Sequence, residues 1–177
     1  MVPVPSTPQS NVRPRSAPLP GGVLIGLATL VVVSTCYGLL EPDAYRAVPE
    51  LLRQTCRAQD AVSLASLPVL VVAWRRARAG SVRAHVVAIG LLMWLAYAYA
   101  HLAFAVPFTA VFPLYVAILG AAGFGALDGL VRFDVTALQA SFKHAPRRGA
   151  AWFLIVSSVG VAGLWLSDIV VGVFGGT

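Results

Sequence analysis

The sequence predicts an all-α, polytopic membrane helix bundle of about five transmembrane helices, with its N-terminus in the cytoplasm. Three observations carry this expectation. Hydrophobic residues make up 58% of the chain and charged residues only 11%, too little charge to clothe a soluble domain of this length. The apolar residues fall in runs of about 20, the length that crosses a bilayer core of about 30 Å. The net charge of +6 comes mostly from arginines set between those runs, not from a basic patch interleaved with exposed aromatics. The positive-inside rule accounts for such arginines, so the expected surroundings are the lipid bilayer, with no nucleic acid as partner.

Residues 1–20 hold six prolines together with Ser, Thr, Gln and Asn. Such a stretch neither forms a helix nor buries a core, so a disordered cytoplasmic tail is expected, followed by one transmembrane domain over residues 21–177. The first span runs from Gly21 to Leu40, with Arg13 and Arg15 ahead of it. A basic stretch before an apolar one also has the form of a secretory signal, and Val33-Ser34-Thr35-Cys36 resembles a lipoprotein cleavage box. Thr35 stands where such boxes carry Gly, Ala or Ser, and the apolar run continues to Leu40, which favours a span.

Between Glu41 and Gln59, the acids Glu41, Asp43 and Glu50 balance Arg46, Arg53 and Arg57, as expected of an outer-face connection in which residues 44–53 form a short interfacial helix. The second span runs from Arg57 to Trp74 with a kink at Pro68. Arg75, Arg76, Arg78 and Arg83 follow with no acid among them, which assigns this turn to the cytoplasm. The third span, Val82 to Phe104, rises to an uncharged outer turn at Val106-Pro107-Phe108, and the fourth descends from Phe108 to Val131. Ala121, Gly125 and Gly129 repeat at four-residue spacing on the fourth span. Small residues so spaced let backbones approach closely, which makes this face a candidate contact for another membrane protein. Arg132, Lys143, Arg147 and Arg148 against Asp134 mark a second cytoplasmic connection, with Phe133, Leu138 and Phe142 able to lie on the membrane surface. The fifth span runs from Ala150 to Phe174, and the expected location is the inner (plasma) membrane as a multi-pass protein.

The stretch from Trp94 to Tyr115 carries no charge, yet holds Trp94, Tyr97, Tyr99, His101, Thr109 and Tyr115. Acids inside a membrane cost about 2.5 to 3.5 kcal/mol at mid-span, so Asp60, Asp128 and Asp168 each need a reason. Asp128 is four residues from Arg132 and reads as a structural pair. Asp60 shares a helical face with Arg57, Ser63 and Leu67. Trp94, Tyr97 and His101 share a face of the third span, from which Tyr99 points away, and Asp168 shares one with Trp165 on the fifth. Ser34 and Tyr37 come from the outer end of the first span. These stripes reach the same outer depth. They predict an outward-facing polar pocket with Arg57, Asp60, Trp94, Tyr97, His101 and Asp168 as ligand-binding residues. The alternatives are an interfacial Arg57–Asp60 ion pair and an aromatic belt of Trp94, Tyr97 and Tyr99. His85 and His144 sit among arginines and read as solvated.

No HExxH, GxSxG, P-loop or CxxC pattern is present, and no pair of metal-ligating residues has diagnostic spacing, so no catalytic residue, metal or cofactor is expected. The leading functional expectation is an outer pocket that binds or passes a proton, a small solute or a lipid headgroup. The alternative is a non-catalytic accessory or assembly subunit, and the third is a membrane-embedded lipid-modifying enzyme. Cys36 and Cys56 both fall at the expected outer, oxidising face. A disulfide between them would close a loop of about 20 residues and contribute about 3 kcal/mol.

The order of residues also resembles an uncharacterised family of small bacterial inner-membrane proteins. The resemblance rests on Arg57-Ala58-Gln59-Asp60, on Tyr97-Ala98-Tyr99, on Ala103-Phe104 and on Phe108 to Gly120, and covers roughly residues 50 to 125. The chain departs from that pattern at Ala105 and Thr109, where the family carries Gly and Asn. The resemblance implies a polytopic architecture and brings no activity with it.

Overall fold

The computed structural model describes residues 18–141 and 147–174. They form six helices: α1 (Gly21–Leu40), α2 (Glu50–Arg78), α3 (Val82–Phe104), α4 (Phe112–Val131), α5 (Val135–Ser141) and α6 (Arg147–Phe174), with no strand among the described residues. Five of them are long and apolar enough to cross a membrane, in the segments Gly21–Leu40, Leu52–Arg78, Val82–Phe104, Phe112–Val131 and Arg148–Ser167. The chain is an all-α, multi-pass membrane protein. Most of the tail expected to be disordered lies outside the described residues, as do Phe142, Lys143 and His144. The chain divides into two units, Met1–Leu138 and Gln139–Thr177.

In the first unit, each long helix turns one stripe inward at helical spacing. The stripe is Leu24, Leu27, Val31 and Ser34 on α1, and Cys56, Asp60, Ser63, Leu67 and Leu70 on α2. On α3 it is Ala88, Leu92, Leu95, Tyr99 and Leu102, and on α4 Tyr115, Ile118, Ala122 and Ala126. α1 packs on α2 and α4, and α3 packs on the same two, so the four helices close a ring. Short connections make neighbours antiparallel. Leu27, Val31, Leu70, Leu92, Leu95 and Ile118 fill the middle of the ring, while polar residues of the stripes collect towards one end.

Helix boundaries follow from local chemistry. The expected short interfacial helix is not a separate element. Residues 44–48 form successive turns, with Ala44, Arg46 and Val48 amides donating to the carbonyls three residues earlier at 3.0–3.2 Å. Pro49 then caps α2, and Glu50 places an acid in the first turn, where the helix dipole favours it. α2 therefore begins well before the expected span, and it continues through Pro68. α4 starts at Phe112 rather than Phe108, with Pro113 in its first turn, where the missing N–H costs no hydrogen bond. The turn from α2 to α3 has one solution. The Gly80 amide donates to Ala77 O (2.9 Å) and the Ser81 amide to Arg76 O (3.0 Å), a pattern that puts Gly80 at φ 92°. Ser81 Oγ then accepts from the Ala84 amide at 3.3 Å and caps α3.

At the end of the ring where α2 stops and α3 starts, the incoming chain lies across the helices. Trp74 Nε1 donates to the Leu19 carbonyl at 2.8 Å, and the Arg78 guanidinium stacks 4.9 Å from the centre of the Trp74 ring. Leu19 and Pro18 press on α4 at Gly125 and Gly129, where an added Cβ would come within 2.6 and 2.7 Å of them. Ile89 of α3 also meets Gly129. The small-residue face of α4 is thus covered by the chain's own residues. The same close approach buries His85, which the sequence placed in solvent. It is 7% exposed, its Nε2–H donates to the Gly129 carbonyl at 3.1 Å, and it tilts against Phe133. Arg132 and Asp128 pair at 2.7 Å as their spacing implies. Asp134 Oδ1 caps α5 by accepting from the Ala137 amide at 2.9 Å.

The second unit holds α6. It opens on Arg147 and Arg148 and has no further charged residue before Asp168. Its 28 residues span about 42 Å at 1.5 Å per residue, more than the ~30 Å of a bilayer core.

Candidate functional site

Asp60 is the centre of the polar end of the ring. It sits on the inward stripe of α2 between Cys56 and Ser63 and is 0% exposed. Its partner comes from the 41–49 connection: the Tyr45 hydroxyl donates to Asp60 Oδ2 at 2.6 Å, the short distance of a charge-assisted bond. Burial, and then the adjacent Asp60 carboxylate, push the Tyr45 hydroxyl above the ordinary tyrosine range, so it keeps its proton and remains a donor.

Packing on one side of this pair is tight. Gly38 of α1 lies directly over it. A Cβ at that position would overlap Asp60 Oδ2 and stand 2.7 Å from the Tyr45 hydroxyl. Glycine is what lets α1 approach α2 here, and no methyl-sized group fits between α1 and the carboxyl.

Hydroxyls from the other helices complete the cluster. Tyr99 of α3 and Tyr115 of α4 are both buried, with ring centres 5.9 Å apart. Tyr115 lies beside Tyr45 and Thr109, and Tyr99 beside Ser34 of α1. Asp60 Oδ1, Tyr99 OH, Ser34 Oγ, Thr109 Oγ1 and Trp94 Nε1 are all buried without a hydrogen-bond partner among the described residues. An unsatisfied buried polar group costs about 1–3 kcal/mol. Ser34 and Tyr99 adjoin each other and Thr109 adjoins Tyr115, so the cost falls chiefly on Asp60 Oδ1, and an unpartnered buried carboxyl oxygen is found where a protein handles something polar.

Polarity fades from Asp60 towards the middle of the ring. Thr35 donates its hydroxyl to Val31 O at 2.8 Å, and Ser66 to Ser63 O at 2.7 Å, so both are satisfied within their own helices. Beyond them comes the apolar layer of Val31, Leu70, Leu92 and Ile118. Asp60 is 15 residues from Arg75, or about 22 Å along α2. The cluster therefore belongs to one end of the ring only.

Of the residues expected in a pocket, the structure brings Asp60 to this end, while the half-buried Trp94 stands mid-helix between Leu92 and Leu95. His101 is half-buried near the same end of α3. Tyr97 is turned outward, 64% exposed, and packs against Trp94 at 6.1 Å between ring centres. Tyr99, expected to point elsewhere, takes the inward place. The reason is the register of α3: its buried stripe runs through Leu92, Leu95, Tyr99 and Leu102, and Tyr97 lies about 200° from Tyr99 at 100° per residue. Arg57 is exposed and does not pair with Asp60. Its guanidinium donates to Pro42 O at 3.3 Å, and Arg53 likewise reaches Val48 O at 3.2 Å. These two arginines fasten the connection that delivers Tyr45. The side chain of Asp168 lies outside the described residues.

The expected Cys36–Cys56 bridge is not formed. Both cysteines are free thiols, Cys56 buried and Cys36 half-buried. Cys56 lies on the inward stripe of α2 one turn from Asp60, where it packs as a small hydrophobe. The most informative residue missed from the sequence is Tyr45, because a tyrosine in a short polar connection carries no periodic signal of burial.

No protein-family model matches this chain, and neither curated proteins nor solved structures provide a match.

Proposed function

We propose that the four-helix unit binds a proton reversibly at Asp60 from one face of the membrane. The observation that carries this reading is a fully buried carboxyl held by one hydroxyl, Tyr45, with its second oxygen unpartnered and no room for a methyl group beside it at Gly38. Of a proton, a small solute and a lipid headgroup, the proton is the occupant that needs no space on the filled α1 side of the carboxyl. The hydroxyls of Tyr45, Tyr115 and Thr109 offer hydrogen-bonding steps between the carboxyl and the end of the ring. The apolar layer below favours uptake and release at one face over conduction through the unit.

Orientation follows from the charges. Arg75, Arg76, Arg78, Arg83 and Arg132 gather at the end opposite Asp60, and the positive-inside rule then assigns that end to the cytoplasm of an inner (plasma) membrane. Asp60 accordingly faces outward. The residues behind the family resemblance divide on this reading: Asp60 and Tyr99 belong to the proton site, while Arg57 and Tyr97 support it from the surface. An assembly role is less favoured, because the α4 face that suggested it is occupied by Leu19, Pro18 and Ile89.

Potentiometric titration of the purified protein in detergent tests the reading. Between mildly alkaline and acidic pH, the wild type is expected to take up one more proton per chain than Asp60→Asn. Equal uptake by the two proteins would show that Asp60 does not exchange protons and would overturn the proposal.

A further inference from the structure

A second feature lies on the outer surface of the ring, at the arginine end. A groove of about 470 Å³ lies there between α1 and α2. Its walls are Leu24, Ile25, Ala28, Val32 and Val33 of α1 and Val71 of α2, and it ends at Gly21, Trp74 and Arg75. Its single hydroxyl is already used, because Thr29 Oγ1 donates to Ile25 O at 3.0 Å. The groove is therefore an apolar trough with one polar end.

Length, charge and surroundings together define the occupant. Gly21 and Val33 are 12 residues apart, about 18 Å along α1, which is close to the depth of one leaflet of a bilayer core of about 30 Å. The closed end carries two sources of positive potential. One is the Arg75 guanidinium, which is exposed and has no hydrogen bond or ion pair among the described residues. The other is the start of α1, whose N-cap Pro20 offers no side-chain cap and whose first intrahelical bond is made by the Leu24 amide. No acid occurs in the sequence between Asp60 and Asp128, and Asp128 is held by Arg132. Arg78 is stacked on Trp74, which leaves Arg75 as the guanidinium that lines the groove.

We infer that this groove holds an anionic phospholipid, its phosphate on Arg75 and the α1 N-terminus and one acyl chain along Leu24, Ile25, Val32 and Val71. A groove one leaflet deep, apolar along its length and positive at its end, is complementary to a lipid of that charge. The exposed apolar side chains along the groove suit an acyl chain, and the positive end discriminates among headgroups. Trp74 at the rim occupies the interfacial depth that tryptophan prefers. The inference rests on the membrane architecture and is independent of proton binding at Asp60.

Native mass spectrometry of the whole protein in detergent, with added lipid, tests it. The probes are phosphatidylglycerol, phosphatidylcholine and inorganic phosphate. Phosphatidylglycerol is expected to be retained at one copy per chain, about fivefold more tightly than phosphatidylcholine. Arg75→Gln is expected to remove that preference. Ile25→Trp, which fills the trough, is expected to weaken retention of both lipids. Arg76→Gln removes the same charge from the other side of α2, where that side chain lines a separate groove with Val72 and Val87, and is expected to leave retention unchanged. Arg75 and Ile25 are both exposed, so neither substitution opens the core. Equal retention of the two lipids, an equal loss from Arg76→Gln, insensitivity to Ile25→Trp, or displacement of the lipid by inorganic phosphate would each overturn the inference.

Discussion

Gly38→Ala destabilises the first unit by about 2.5–6 kcal/mol, the largest loss expected from adding a single methyl group at any glycine among the described residues. The methyl would overlap Asp60 Oδ2 and crowd the Tyr45 hydroxyl, so either α1 moves away from α2 or the hydrogen bond between the pair breaks. Overpacking a filled site costs about 1–3 kcal/mol, and losing a hydrogen bond to a charged group about 1.5–3 more. Gly26→Ala is the matched control on the same helix. A Cβ there meets nothing within 4 Å, so only the helix propensity changes, with a gain of up to about 1 kcal/mol. Thermal unfolding of the two variants in the same detergent separates them: Gly38→Ala melts well below wild type, and Gly26→Ala at or slightly above it.

Tyr45→Phe lowers stability by about 1.5–3 kcal/mol, because it removes the one hydrogen bond that the Asp60 carboxyl makes among the described residues and leaves a buried acid without a partner there. The loss depends on the acid. In an Asp60→Asn background the remaining amide is neutral and the same substitution costs less, so the double-mutant cycle shows coupling of about 1 kcal/mol or more. Unfolding midpoints of the four proteins check this. Strict additivity would mean that the Tyr45 hydroxyl and the Asp60 carboxyl act separately.

The helices were legible because a bilayer demands long apolar runs, and the arginine turns declared themselves by charge. Asp60 was legible for the same reason: an acid on a membrane helix is expensive and so draws attention to itself. Its neighbours were harder. On α3, Trp94, Tyr97 and His101 looked like a polar face, yet the apolar period of Leu92, Leu95 and Leu102 decides which way the helix turns, and it carries Tyr99 inward. Polarity alone points to Tyr97, whereas the leucine register is what turns Tyr99 inward. Arg57 read as a partner for Asp60 at i, i+3, but it is drawn away by the carbonyl of Pro42. Tyr45 was illegible, since a short connection has no period to read and its burial arises from turns that the arginines fasten. On α4, Gly125 and Gly129 are places of close contact with the chain's own side chains. What covers them, Leu19 and Pro18 from the entering chain, lies more than a hundred residues away in sequence and leaves no local trace.

The central claim is that the carboxyl which exchanges a proton is the buried one bonded to Tyr45. Infrared difference spectroscopy across a pH step measures this most directly, through the C=O stretch of a protonated carboxylic acid. A band that appears on acidification of the wild type, vanishes in Asp60→Asn and changes frequency in Tyr45→Phe is the predicted result. A carboxyl band that persists in Asp60→Asn, or is indifferent to the loss of the Tyr45 hydroxyl, would contradict it.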